Sequence, residues 1–472
     1  MRETTIRLSR KEAKNGCVKK VRDPVAGSLV SVRIPAGTKN GRRFDVMSSA
    51  SGSTLHIKVK VKSVFGGIVK TFGILLLIGV IGSQIEERKA QQTPQKQTQT
   101  NTAAASRAYF PYADEHDYYH QLSDPEKQLY AAAYEACRRG ESSFTYILDS
   151  EEYDEFQSLQ SRFMEALMCD HPELIQVQGG HSWEAKSIFD SGRYSDSLTV
   201  NMTCFPYFSD PNQCMDAIIE VRDEARRITD AIMANNTDTY SRVLAAHDYL
   251  VEHVHFDKCR QKIYKEQDRA GDSSMVYTAY GPLMEGSAVC EGYAKAMKML
   301  LDNMDIDCLY ISSQGHAFNL VWIDGEPTYI DPCWDDMTRI NEDGTLDVED
   351  PEVQHEYFGL TSAEMTAVDK HALFKSPFAL PECTSEALRY DRRMGQYAQV
   401  YDFETVCQIV TAQYDRGETL IEILFGSAEE LSRAVEDLYG ETARIWDIPC
   451  LEDRTLSHMC SDDTPVLSIF VK

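Results

Sequence analysis

Apolar and polar positions alternate with period two in three short runs near the start of the chain: Thr5-Ile6-Arg7-Leu8, Leu29-Val30-Ser31-Val32-Arg33-Ile34 and Thr54-Leu55-His56-Ile57-Lys58-Val59-Lys60-Val61. Pro35-Ala36-Gly37 and Asn40-Gly41 separate them as turns, so residues 1–62 are expected to form a small β unit. The alternation then stops. From Val64 to Ile85 the chain reads VFGGIVKTFGILLLIGVIGSQI, a largely apolar stretch carrying one charge before its end, Lys70. About 20 apolar residues suffice to cross a bilayer, and glycines such as Gly66, Gly67, Gly73, Gly79 and Gly82 are tolerated better in membrane helices than in soluble ones. One transmembrane helix is expected over 64–85. The Gln/Thr-rich segment that follows, within 86–108, has too few apolar residues to bury and reads as a tether.

Helical spacing takes over after Tyr109. Ser123 and Glu126 form a capping box ahead of KQLYAAAYEACRR, and Gly140 closes that helix. Phe156, Leu159, Phe163 and Leu167 predict a second helix near Glu151 to Met168, while Ser197 to Tyr207 reads as a strand. Two more helices are expected, Asp216 to Ala234 and Arg242 to Asp257. In the tail, Phe403 to Arg416 reads as a helix and Leu420 to Phe425 as a strand. A capping box at Ser427 and Glu430 opens another helix, with strands at Ala443–Trp446 and Val466–Val471.

The chemically richest stretch is Tyr280 to Asp336. Gly286 and Ser287 suit a turn, and Tyr293, Ala294, Ala296, Met297, Met299, Leu300 and Leu301 after them are spaced as a helix. Cys290 would stand at that helix's N-terminus, where the macrodipole and free N–H groups favour thiolate over thiol. His316 opens an alternating run to Ile323, Gly325 and Pro327 turn the chain, and Thr328-Tyr329-Ile330-Asp331 reads as the neighbouring strand. An antiparallel pair would set His316 beside Asp331, a base with its orienting carboxylate, facing a helix-borne nucleophile.

Charge divides the chain. Residues 1–62 hold 15 Lys/Arg and 4 Asp/Glu, whereas the rest holds 33 and 70, within a total of -26. A basic head on an acidic body suggests two environments, and the acidic body argues against nucleic acid as a partner. Basic residues on the N-terminal side of 64–85 place the head in the cytoplasm and the body outside by the positive-inside rule. None of the 13 cysteines forms a CxxC pair, which argues against a structural zinc site. His247, His253, His255 and Asp257 lack the i, i+4 spacing that sets two ligands on one helix face. Packing or capping is expected of them, and no metal or cofactor is implied.

VCEGYA, GHAFN and YIDPCWDD, with the helix RVLAAHDYLVEHVHFD before them, resemble the transglutaminase-like superfamily, in particular bacterial transglutaminase-like cysteine peptidases. The resemblance covers about Tyr240 to Asp336 and implies a catalytic triad of Cys290, His316 and Asp331. IRLSRKEAKNG, VRIPAGTKNG and LHIKVKV in residues 1–62 resemble half of the C-terminal substrate-binding region of DnaJ-type co-chaperones, without a J-domain or its zinc-binding cysteine repeats. The expected fold class is thus α+β, a papain-like or transglutaminase-like core whose Cys-bearing helix packs on an antiparallel sheet. The domains run 1–62 (basic β domain), 64–85 (transmembrane helix), 86–108 (linker), 109–239 (helical and mixed), 240–392 (core) and 396–472 (small α+β domain).

Such a triad acts through a thioacyl intermediate, His316 as base and then acid and Asp331 fixing the imidazole. The Cys290 backbone N–H is one oxyanion donor, and Tyr280 is offered as the second. Water as acceptor gives a peptidase or amidase and an amine gives a transglutaminase. Hydrolysis is preferred because water needs no dedicated site and the resemblance leans to peptidases. The expected partner is a peptide or protein substrate at a single-pass membrane anchor. The alternatives are a non-catalytic module that holds a peptide or cell-wall partner and a chaperone-like adaptor acting through residues 1–62.

Overall fold

Period-two alternation at the N-terminus does become strands: β1 (Glu3–Leu8), β2 (Cys17–Arg22), β3 (Leu29–Ile34), β4 (Arg43–Met47) and β5 (Thr54–Val61). In this computed structural model β5 pairs parallel with β1 and antiparallel with β4, while β2 and β3 form a separate antiparallel pair. Val32, Ile34, Ile57 and Val59 are buried. β2 and β4 escaped the sequence reading because Cys17–Arg22 and Arg43–Met47 each carry two or more charges among few apolar residues. The structure describes residues 3–8, 14, 17–22, 29–35, 38–39, 42–47, 54–61, 116–149, 162–190, 193–204, 211–258, 275–313, 315–340, 352–368, 376–461 and 463–472. The chain separates into two compact units, Met1–Gln99 and Thr100–Lys472.

The expected fold class needs one correction. Its transmembrane helix falls on residues 64–85, which lie outside the described residues, and no described helix is long and apolar enough to cross a membrane. The physical reason is plain in the longest of those helices, Pro211–Asn235, which carries Glu220, Asp223, Glu224, Arg226, Arg227 and Asp230. Among the described residues the architecture is mixed α+β.

In the second unit, α1 (Asp124–Arg138) starts from the expected capping box, with the Glu126 carboxylate accepting from the Ser123 N–H at 2.7 Å. β6 (Ser143–Asp149), α2 (Arg162–Asp170), β7 (Val177–Asp190) and β8 (Arg193–Cys204) follow, the three strands making an antiparallel sheet in the order β6-β8-β7. Next come α3 (Pro211–Asn235) and α4 (Thr239–His253). The helix expected to reach Asp257 ends at His253, and His255–Asp257 is a short strand, β9. The backbone turns extended at Val254 because the Phe256 N–H is given to the Thr338 carbonyl, a tertiary contact that no local pattern announces.

The core of this unit is a four-stranded antiparallel sheet with helices on both faces. β10 (Ser287–Ala288) leads into α5 (Cys290–Asp302), then β11 (Cys308–Ser312), β12 (Ala317–Ile323), β13 (Glu326–Ile330), α6 (Pro332–Asp335), β14 (Arg339–Ile340) and β15 (Phe358–Leu360), with strand order β11-β12-β13-β15. Val321 and Ile323 share one hydrophobic cluster with α3, α4 and α5, whereas Phe318 and Leu320 share another with α1 and α2. Alternation along β12 therefore sorts side chains between two cores rather than between core and water. Beyond it lie α7 (Ser362–Ala367), α8 (Tyr390–Arg393), β16 (Tyr397–Ala398), α9 (Phe403–Asp415), β17 (Leu420–Phe425), α10 (Ala428–Tyr439), β18 (Leu456–Cys460) and β19 (Val466–Val471). The expected strand at Ala443–Trp446 is instead a 3-10 turn at Arg444–Asp447, entered through Ala443 at a left-handed φ of 46°. Such a backbone cannot continue a strand.

One buried cation ties α5 to the segment ahead of α1. Lys298 Nζ donates to Asp117 Oδ1 at 3.2 Å, Asp302 Oδ1 at 3.0 Å and the Cys308 carbonyl at 2.8 Å. Removing one member of a buried pair leaves the other charge uncompensated, at a cost of about 3–5 kcal/mol. Lys298→Met should lower the stability of the second unit by about 3 kcal/mol or more. Denaturant unfolding followed by tryptophan fluorescence reads this unit alone, because Trp183, Trp322, Trp334 and Trp446 all lie within it.

Candidate active site

Cys290 is the first residue of α5, after an extended N-cap at Val289 (φ -106°, ψ 176°). The Val289 N–H is given to the Val276 carbonyl at 3.1 Å, and the Val289 carbonyl accepts from Gly292 and Tyr293, which locks the first turn. At this position the Cys290 N–H has no partner within the helix. Gly292 is there for space: a Cβ would overlap the Val276 carbonyl oxygen and stand 3.0 Å from the Ala288 Cβ. The half-buried Cys290 thiol lies where the two hydrophobic clusters meet.

His316 precedes β12 by one residue, and its carbonyl accepts from the Ser313 N–H at 2.8 Å and the Ser313 hydroxyl at 3.0 Å. Asp331 follows β13, whose register pairs Ile330 with Asn319, so the two residues meet at one end of the β12–β13 hairpin. His316 Nε2 is hydrogen-bonded to Asp331 Oδ2, and the Cys290 thiol bonds the same imidazole. Burial works against a charged ring, yet the Asp331 carboxylate and then the Cys290 sulfur outweigh it and raise the His316 pKa to about 10. The other Asp331 oxygen caps α6, accepting from Cys333 N at 3.1 Å and Trp334 N at 3.2 Å. The Trp334 ring stands 5.3 Å from the imidazole and walls it.

Asp335 and Asp336 brace this arrangement from two more directions. Asp335 Oδ2 lies 3.0 Å from His247 Nε2 on α4, and its carboxylate accepts from the Tyr357 N–H at 3.0 Å. Burial pushes the Asp335 pKa up to about 6. Asp336 accepts from the Tyr293 hydroxyl of α5 and, at 2.7 Å, from the Thr338 N–H. Tyr280, expected near the thiol, directs its hydroxyl toward Glu220 of α3 at 3.4 Å. His253 takes the capping role expected of it, with Nδ1 2.9 Å from the Tyr249 carbonyl. His247 instead is fully buried and flanked by Asp248, at 2.9 Å, and Asp335. Sequence reasoning missed His355 and Glu422, which join the same network from 107 and 67 residues away, and no local motif marks either.

No family model matches the chain, and no curated protein is similar to it. Among solved structures it is similar to a proposed cysteine protease from Cytophaga hutchinsonii, at 15% identity over 33% of this chain and 65% of that one, with a TM-score of 0.20. A TGase (13% identity, 40% and 49%, TM-score 0.21) and a proposed protease from Parabacteroides distasonis (10%, 32% and 36%, 0.19) are also similar. The chain spans less than two thirds of each, and at these scores the likenesses carry no argument about chemistry. Nothing among them bears on a DnaJ-like region.

Gly292→Ala should push the start of α5 off Val276, destabilise the unit by about 1–3 kcal/mol and slow alkylation of Cys290, read by mapping the labelled thiol. A pKa raised in the folded state stabilises the fold below the unfolded value, and that stabilisation is lost as pH rises through the folded one. The His316 contribution should accordingly be full below about pH 6.5 and vanish as pH passes about 10. Denaturation midpoints of the wild type should fall more steeply across that window than those of His316→Gln.

Proposed function

We propose that this protein is a transglutaminase-like thiol enzyme that cleaves amide bonds of a peptide or protein substrate through Cys290, His316 and Asp331. The observation that carries the reading is one imidazole that interacts both with the thiol at the start of a buried helix and with a fully buried carboxylate. A raised His316 pKa favours imidazolium, the form that can give a proton to the leaving amine.

In the proposed reaction the thiolate attacks the substrate carbonyl, and the oxyanion is met by the Cys290 N–H at the helix start. The imidazolium gives its proton to the leaving amine, which leaves a thioester on Cys290. Neutral His316 then takes a proton from water, hydroxide adds to the thioester, and collapse expels the sulfur and frees the acid. Asp331 keeps the ring oriented and its charge balanced throughout. Tyr280 is the proposed second oxyanion donor, which requires its hydroxyl to leave Glu220 when substrate binds.

Iodoacetamide at pH 6 tests the reading. Cys290 should be alkylated ahead of the other thiols, and His316→Ala should abolish that preference. Peptide-amide turnover should vanish in Cys290→Ala and fall about 10²–10⁴-fold in His316→Ala. Labelling spread evenly over the exposed cysteines and indifferent to His316 would overturn the enzyme reading in favour of a peptide-holding module.

A further inference from the structure

Beside α6, next to Asp335, two histidines and an aspartate converge. His247 Nδ1 on α4 lies 2.9 Å from Asp248 Oδ1, and His355 Nε2, from the segment before β15, lies 3.0 Å from the same oxygen. Donor atoms of the three residues all fall within 4.8 Å of one another. The two outer ring nitrogens also face carboxylates: His247 Nε2 is 3.0 Å from Asp335 Oδ2, and His355 Nδ1 is 3.4 Å from Glu422 Oε2.

The two rings stand 5.4 Å apart, centroid to centroid. Around a cation at the centre, each ring would offer its inner nitrogen as a ligand and donate its outer N–H to a carboxylate, the usual support of metal-bound histidine.

We propose that His247 Nδ1, His355 Nε2 and Asp248 bind a divalent transition-metal ion of the zinc class, with Asp335 and Glu422 orienting the two rings. Tetrahedral bonds of 2.0–2.1 Å set neighbouring ligands about 3.3 Å apart, so the two spacings of 2.9 and 3.0 Å to Asp248 would need to open by only a few tenths of an ångström. Imidazole and carboxylate are a donor set that such ions accept. A pocket lined by Glu352, His355, Tyr390, Glu418 and Glu422 adjoins the cluster and offers an acidic way in. The ion would clasp α4 to the segment before β15 and, through Glu422, to β17. Through Asp335 it would steady α6, whose N-cap is Asp331. It therefore acts as a positioning element, and no step of the thiol chemistry passes through it.

Cobalt(II) added to the full-length protein tests the proposal by its spectrum, without reference to activity. One equivalent per chain should bind with visible bands of nitrogen and oxygen ligands and without thiolate charge transfer, which separates this site from the cysteines. Binding should be lost in His355→Gln and in His247→Gln and weakened about 10–100-fold in Glu422→Gln. The melting temperature of the wild type should rise with zinc and return with chelator. Absence of binding, a thiolate spectrum, or binding indifferent to folded His247 and His355 variants would each overturn the proposal. If those variants do not fold, the wild-type spectrum decides alone.

Discussion

The candidate site depends on one helix being buried on every side. From Gly292 to Leu301 each residue of α5 is inside the protein, including Lys295 and Lys298. A helix so enclosed cannot rotate or slide without opening a cavity or stranding a charge, because interiors are packed to crystal density. Its two lysines are held by the Tyr277 carbonyl and by Asp117, Asp302 and the Cys308 carbonyl. The buried amide of Asn319 in β12 donates to the Ala294 carbonyl at 2.9 Å, fixing the helix against the sheet that carries His316 and Asp331. The position of the Cys290 sulfur thus follows from the packing of the whole unit rather than from the loop in front of it.

The second constraint is the way DPCWDD divides three carboxylates among three tasks. Asp331 holds the imidazole and caps α6, Asp335 reaches α4 and the Tyr357 backbone, and Asp336 reaches Tyr293 and the Thr338 backbone. All three are fully buried. Buried carboxylates endure only where hydrogen bonds or opposite charges meet them, so this short run commits its neighbours to fixed places. It also links chemistry to architecture: a shift of α4 or of the segment before β15 would be felt, through Asp335, at the residue that orients His316.

The C-terminal part of the chain joins this network rather than standing apart from it. Glu422 in β17 accepts from the His355 N–H at 3.2 Å, and its own N–H is given to Gln413 of α9 at 3.0 Å. Its carboxylate therefore faces out of its own sheet toward the core. Ser461 and Thr464 both donate to Glu356, the latter at 2.6 Å, so a second buried carboxylate is satisfied across the same junction. The small α+β segment completes the hydrogen bonding behind the site.

How much was legible beforehand depended on distance along the chain. The helix after Cys290, the hairpin that joins His316 to Asp331 and the capping box at Ser123 were readable because each is set by residues a few positions apart, through periodicity, turn chemistry and a reciprocal cap. The end of α4 at His253, the turn at Ala443 and the roles of His247, His355 and Glu422 were not, because each is decided by a partner remote in sequence. Tyr280 shows the same limit: its place ten residues before Cys290 suggested nearness to the thiol, yet its hydroxyl is directed by Glu220, 60 residues upstream. Sequence alone determined which residues could do chemistry and the local elements that carry them. Tertiary structure decided which of them meet, because burial makes every polar group find a partner wherever the chain happens to supply one.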